Sequence, residues 1–170
     1  GDISTWKTSK ATTFNTMFYD ASSFDGELAS WDTSNVVDMY QMFEKAANFG
    51  KTKSKDLNSW DVSQVTNFAY TFARNSFDGN IGDWDTSQAR SLTYMFFDND
   101  EFKQDISEWN VTSVEYFTNV FGTNDFDNLT HCTKCMRQKI LKAWNATAKY
   151  SYEEVQYINY NGTLAANRTC

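Results

Sequence analysis

The chain of 170 residues contains no proline, where an average composition near 5% would place about eight. That absence excludes a proline-rich ligand and argues against a disordered linker. No apolar run approaches the ~18 residues of a membrane span, so no span is expected. No glycine-rich phosphate loop is present. The only histidine, His131, has no serine–histidine–aspartate or cysteine–histidine context, which leaves nucleophilic catalysis without a candidate. Basic residues are also scarce over most of the chain. Residues 1–128 hold 9 Lys and Arg against 20 Asp and Glu, a net −11. Residues 129–170 hold 6 against 2, a net +4. The acidic part lacks the basic footprint that nucleic acid needs.

Aromatic residues, by contrast, make up 17% of the chain. Five tryptophans, Trp6, Trp31, Trp60, Trp84 and Trp109, follow one another in steps of 25, 29, 24 and 25 residues. Such a period outranks local signals. Other columns lock to it. Three residues before each tryptophan stand Ile3, Leu28, Leu57, Ile81 and Ile106; eight after stand Phe14, Met39, Phe68, Leu92 and Phe117. Twelve after stand Phe18, Phe43, Phe72, Phe96 and Phe121, and a last phenylalanine follows at Phe24, Phe49, Phe77, Phe102 and Phe126. The longer step is accounted for by an inserted basic stretch, GKTKSK, at 50–55.

One unit cannot bury these columns alone, but stacked units can bury them as a continuous core. The VxxMxxMFxxA portion has spacings of three and four that predict a helical turn. The DIxxW portion predicts a short strand. The expected fold is therefore an α/β repeat, coiled as a solenoid over 1–128. Each unit of about 25 residues is expected to hold one short parallel strand and one helical turn. Residues 129–170 predict a helical C-terminal cap, with Ile140, Ala143 and Trp144 at helical spacing and a capping box from Ser151 to Glu154. Gly1 in place of methionine points to a processed chain or a piece of a longer one. The first unit then predicts an open edge that further repeats or another chain would cover.

At the level of the repeat, DISTW…FYDASSFD and WDTSNVVDMYQMFEKAANF resemble the BspA-like surface-protein repeat, a divergent relative of the leucine-rich repeats. The likeness runs over about residues 1–128, with departures at Lys7, Asn110 and Cys132. The end of the chain is similar to eukaryotic algal members, in which a C…I..AW helix precedes a terminal cysteine. Cys135, Ile140, Ala143, Trp144 and Cys170 fit that pattern. The resemblance implies that the α/β solenoid is right-handed and leucine-rich-repeat-like, and that the protein is extracellular or on the cell surface for adhesion, recognition or assembly, with no catalytic residues and no cofactor to carry over.

Cysteines stand at Cys132, Cys135 and Cys170, an odd number for a secreted chain. A Cys135–Cys170 disulfide would pin the tail to the cap helix, leaving Cys132 free or bonded to another chain; Cys132–Cys170 is the competing pairing. A zinc site would need His131 to join the three cysteines, and CTKC lacks the strand–helix context of a redox motif. Asp32, Asp61 and Asp85 form one acidic column, and Asp2, Glu27, Asp56 and Asp105 another. Such a column predicts either turn caps that accept backbone N–H bonds or a calcium ladder. Glycosylation sequons occur at Asn110, Asn128, Asn145, Asn161 and Asn167, all in the last unit and the cap, and N-linked glycans are expected there.

The functional expectation is a non-enzymatic surface module for protein–protein contact, with copies of itself or other surface proteins, through assembly into a filament or coat or through adhesion. The alternative is a recognition module that binds a carbohydrate or a foreign protein on the polar strand face. That face offers mostly Ser, Ala, Asn and Gly.

Overall fold

The computed structural model describes residues 1–52, 56–122 and 131–147, the side chains of 131–135, Asn145 and Thr147 excepted. Five units lie in parallel register. Isolated parallel bridges join Thr13 to Asp38, Asp38 to Asn67, Asn67 to Ser91 and Ser91 to Tyr116. Between consecutive units the backbone bonds repeat. Met39, Gln41, Phe43 and Lys45 donate N–H to the carbonyls of Asn67, Ala69, Thr71 and Ala73. Phe68, Tyr70, Phe72 and Arg74 donate in the same way to Ser91, Thr93, Met95 and Phe97.

The strand and helical turn expected in each unit are absent among the described residues, which hold one helix and no strand. The α/β, leucine-rich-repeat-like solenoid is thereby overturned. The DIxxW segment is a turn: Trp31, Trp60, Trp84 and Trp109 each donate N–H to the carbonyl three residues earlier. The Met39–Ala46 segment is a run of turns in which N–H groups alternate in direction. Met42, Glu44 and Ala46 close bonds to Met39, Gln41 and Phe43 within the unit, while the intervening N–H groups bond the next unit. A helix would spend every N–H internally, and so short a helix is poorly nucleated. The neighbouring unit offers every second N–H a partner instead.

This path needs left-handed backbone at two positions per unit. Thr16 and Asp20, Gln41 and Lys45, Tyr70 and Arg74, and Tyr94 and Asp98 all have φ between 51° and 62°. An L-residue pays about 1–2 kcal/mol for that conformation. The bonds that seven of these residues donate to the next unit, from Thr16 through Tyr94, offset it.

Despite the different backbone, the three-and-four spacing still points inward: Met39, Met42, Phe43 and Ala46 are all fully buried. The phenylalanines form two ladders. Phe18, Phe43, Phe72, Phe96 and Phe121 stack at 5.6–5.7 Å between centroids. Phe24, Phe49, Phe77 and Phe102 stack at 5.6–6.5 Å. Within each of the first four units the two ladders touch at 3.8–4.2 Å. Offset stacks of this kind add about 0.5–1.5 kcal/mol each beyond the area they bury.

Helix α1, His131–Thr147, lies against the fifth unit. Arg137, Ile140 and Trp144 recur at intervals of three and four and are buried. Residues 129–130 and 148–170 of the expected cap, including the Ser151–Glu154 capping box and Cys170, lie outside the described residues, as does Phe126.

Candidate protein-contact face

Three polar columns shape the turns before any contact face can form. In the first, Asp2, Glu27, Asp56, Asn80 and Asp105 each accept the backbone N–H two residues on. In the second, Asp32, Asp61, Asp85 and Asn110 do the same for Ser34, Ser63, Ser87 and Thr112. In the third, Thr13, Asp38, Asn67 and Ser91 serve Asn15, Tyr40, Ala69 and Thr93. The acidic columns are thus turn caps. The Ser34 hydroxyl and N–H hold the Asp32 carboxyl below its ordinary range, and Ser87 does the same for Asp85. At Asp105 the ammonium of Lys139 is the larger cause of the same lowering. Among the described residues no three acidic, histidine or cysteine side chains converge to hold a metal.

The outward side of the turn run carries the tyrosines. Tyr40 meets Tyr70 edge-on at 6.0 Å, and Tyr70 stacks on Tyr94 at 4.9 Å. Tyr94 meets Phe97 edge-on at 5.1 Å, and the Arg74 guanidinium lies 5.1 Å over the Phe97 ring. Arg74 also pairs with Glu44 at 2.5 Å, and Gln41 Nε2 donates to the other Glu44 oxygen. Asn119 Nδ2 donates to the Tyr94 hydroxyl oxygen. At the near end Lys45 donates to the Tyr19 hydroxyl oxygen at 3.0 Å, and that bond raises its pKa above the ordinary lysine value. Burial, followed by the neighbouring Tyr94 and Tyr40, raises that of Tyr70. At the far end Tyr116 is 61% exposed.

The strip lies on the segment for which the spacing predicts a helical turn, apart from the DIxxW segment expected to carry the polar strand face, and it is edged with tyrosine where that face offers mostly Ser, Ala, Asn and Gly. Tyr70 and Tyr94 stand two residues after the inward Phe68 and Leu92, a spacing that marks them in the sequence. Tyr40 belongs to the neighbouring column and reaches Tyr70 only through the fold.

The remaining candidates are scattered. Asn110 is exposed and accepts from both the N–H and the hydroxyl of Thr112. Cys132 and Cys135 fall three apart on α1, and Asn145 falls near its end, with side chains outside the description, as is that of His131. Asn128, Asn161, Asn167 and Cys170 lie outside the described residues, so no disulfide pairing is placed. No helix of the described residues is long and apolar enough to cross a membrane.

No curated protein and no solved structure matches the chain. A family model described as "Mycoplasma protein of unknown function, DUF285" matches residues 1–55 and 49–154. The chain belongs to that family.

Proposed function

We propose that the chain is a non-enzymatic, extracellular or cell-surface module that makes protein–protein contacts, foremost with copies of itself, through the tyrosine strip. The observation that carries this reading is the Tyr40–Tyr70–Tyr94 row with Arg74 beside it. Tyrosine and arginine dominate the energetic centres of protein interfaces, because a rigid ring brings large contact area at low entropic cost. The rings are already held by one another and by Asn119, so little ordering is left to occur on binding. The −11 of residues 1–128 and the +4 of residues 129–170 would steer approach between copies. The family is one that BspA-like surface proteins often carry, which favours a surface setting.

A carbohydrate is the second reading, favoured by the row of aromatic rings. It ranks lower because Tyr70 and Tyr94 are stacked face to face, which occupies ring faces that a sugar would cover. N-linked glycans at Asn110, Asn128, Asn145, Asn161 and Asn167 belong to the same proposal, and intact mass before and after deglycosylation of native material would count them.

Hydrogen exchange on dilute and concentrated chain tests the contact. Protection gained on concentration around Tyr40, Tyr70 and Tyr94 supports it; a profile independent of concentration overturns it. A glycan array that returns a specific ligand blocked by Tyr70→Ser would put the second reading first.

A further inference from the structure

A column of charges runs beside the rings of the tyrosine strip. Asp20, Lys45, Arg74 and Asp98 hold the second of the two positive-φ positions in the first four units. Their charges run minus, plus, plus, minus along the stack. The other positive-φ position passes from Thr16 and Gln41 to Tyr70 and Tyr94. The two columns join in the third and fourth units, where the Arg74 guanidinium lies over Phe97 and Phe97 meets Tyr94 edge-on.

Arg74 and Asp98 are both exposed. Arg74 pairs through Nη1 with Glu44 of the unit before, and not with Asp98 of the unit after. A guanidinium has five N–H donors, so this ion pair leaves donors for a further acceptor. Among the described residues no lysine or arginine pairs with Asp98. A cation and an anion thus stand in neighbouring units beside two stacked tyrosines, unjoined to each other.

The order of these charges restricts how a second copy can lie on the strip. Parallel copies whose charged columns meet would set Arg74 against Arg74 and Lys45 against Lys45. Antiparallel copies centred between units two and three would set Lys45 against Arg74, and centring on unit three would set Arg74 against itself. A centre between units one and two pairs Asp20 with Lys45 but lies away from Tyr70 and Tyr94. Antiparallel copies centred between units three and four set Arg74 against Asp98 twice, once on each side of the two-fold axis. The same register lays Tyr70 against Tyr94 of the other copy, also twice. Opposed like charges suppress the wrong registers and opposite ones fix the right one. A two-fold contact of this kind is self-complementary and closed.

We infer that the strip docks antiparallel on the strip of a second copy, with Arg74 of each copy on Asp98 of the other. This rests on the reading that copies meet through the strip; it adds the register and the charge pair that sets it. The product is a closed dimer.

Charge reversal followed by sedimentation equilibrium tests the register. Asp98→Arg sets an arginine where Arg74 already stands in the neighbouring unit, at the same backbone conformation. It is expected to weaken self-association at least about tenfold. Glu44→Gln/Arg74→Glu reverses the other charge without bringing two carboxylates together, and is expected to weaken it as much. Both ion pairs return only when one variant meets the other, so their equimolar mixture is expected to form a one-to-one dimer of about the parent's affinity. An Asp98→Arg chain that associates as tightly as the parent overturns the register. The strip reading survives that result where Tyr70→Ser/Tyr94→Ser still abolishes association, whereas a monomeric parent overturns both. Failure of the mixture to dimerise, with both variants giving the parent's near-ultraviolet circular dichroism, overturns the register too, as does parent mass that grows beyond a dimer.

Discussion

The side-chain amide of Asn99 donates to Oδ1 of Asn75 across 2.9 Å, and both residues are buried in the stack. Asn75 in turn donates to the Phe43 carbonyl and accepts from Phe77 N–H. Asn99 also donates to the Phe77 carbonyl and accepts from Phe102 N–H, while its own carbonyl takes Arg137 from α1. A chain of amides thus satisfies the backbone where the third and fourth units bend between their two phenylalanines, and it ties units two to four to the helix.

Replacing Asn99 by leucine leaves the Phe102 N–H and the Phe77 carbonyl without their partner and takes one of two donors from Asn75 Oδ1. Each buried orphan costs about 1–3 kcal/mol, so a loss of about 2 kcal/mol or more is expected by urea unfolding. A loss below about 1 kcal/mol would mean that water or a shifted backbone replaces the amide.

The aromatic ladders make a graded prediction. Phe43 is fully buried between Phe18 and Phe72, and Phe43→Ala is expected to cost about 3–5 kcal/mol. Trp6, the larger side chain, is half exposed, and Trp6→Ala is expected to cost less than half as much. Chemical unfolding of the two variants side by side checks the order.

Thr16 is a β-branched residue at φ 54°, the least suitable type for left-handed backbone. Its N–H bond to Tyr40 does not depend on the side chain. Thr16→Asn is expected to stabilise the fold by about 0.5–1 kcal/mol, since asparagine tolerates this region. An unchanged or lowered midpoint would place the strain elsewhere.

Acid stability follows from the caps. The Asp85 carboxyl is held below its ordinary range by the Ser87 hydroxyl and N–H. Its folded pKa is depressed, so its contribution is present above the unfolded value of about 3.9 and is lost as pH falls through the folded one. Asp85→Asn keeps an acceptor, as Asn110 does in the next unit, but has no proton to take up. The variant is expected to lose less thermal stability than the parent between about pH 4 and pH 2. Equal losses would remove Asp85 from the acid response.

The periodic tryptophans and phenylalanines marked the core, because side-chain spacing survives whatever backbone carries it. At Met39–Ala46 the backbone departs from the helical turn that the spacing predicts, because turns with residues such as Gln41 and Lys45 at positive φ present the same spacing of inward residues as a helix. Asp32 and Asp85 were readable as caps because a carboxylate two residues before an N–H acts locally. Asn75 and Asn99 were passed over because they replace Ala21 and Ala46 of the first two units in an apolar column. The place of Trp144 at the end of the tryptophan stack, against Trp109, is not legible in the period, since it stands 35 residues after Trp109 and arrives on a helix.

The most direct test of the central claim is sedimentation equilibrium of the intact chain against Tyr70→Ser/Tyr94→Ser. Loss of two interface tyrosines worth about 2 kcal/mol or more each implies association weaker by about 700-fold or more. The account predicts concentration-dependent mass for the parent and a monomer for the variant over the same range. A parent that stays monomeric, or a variant that associates as tightly, would contradict it.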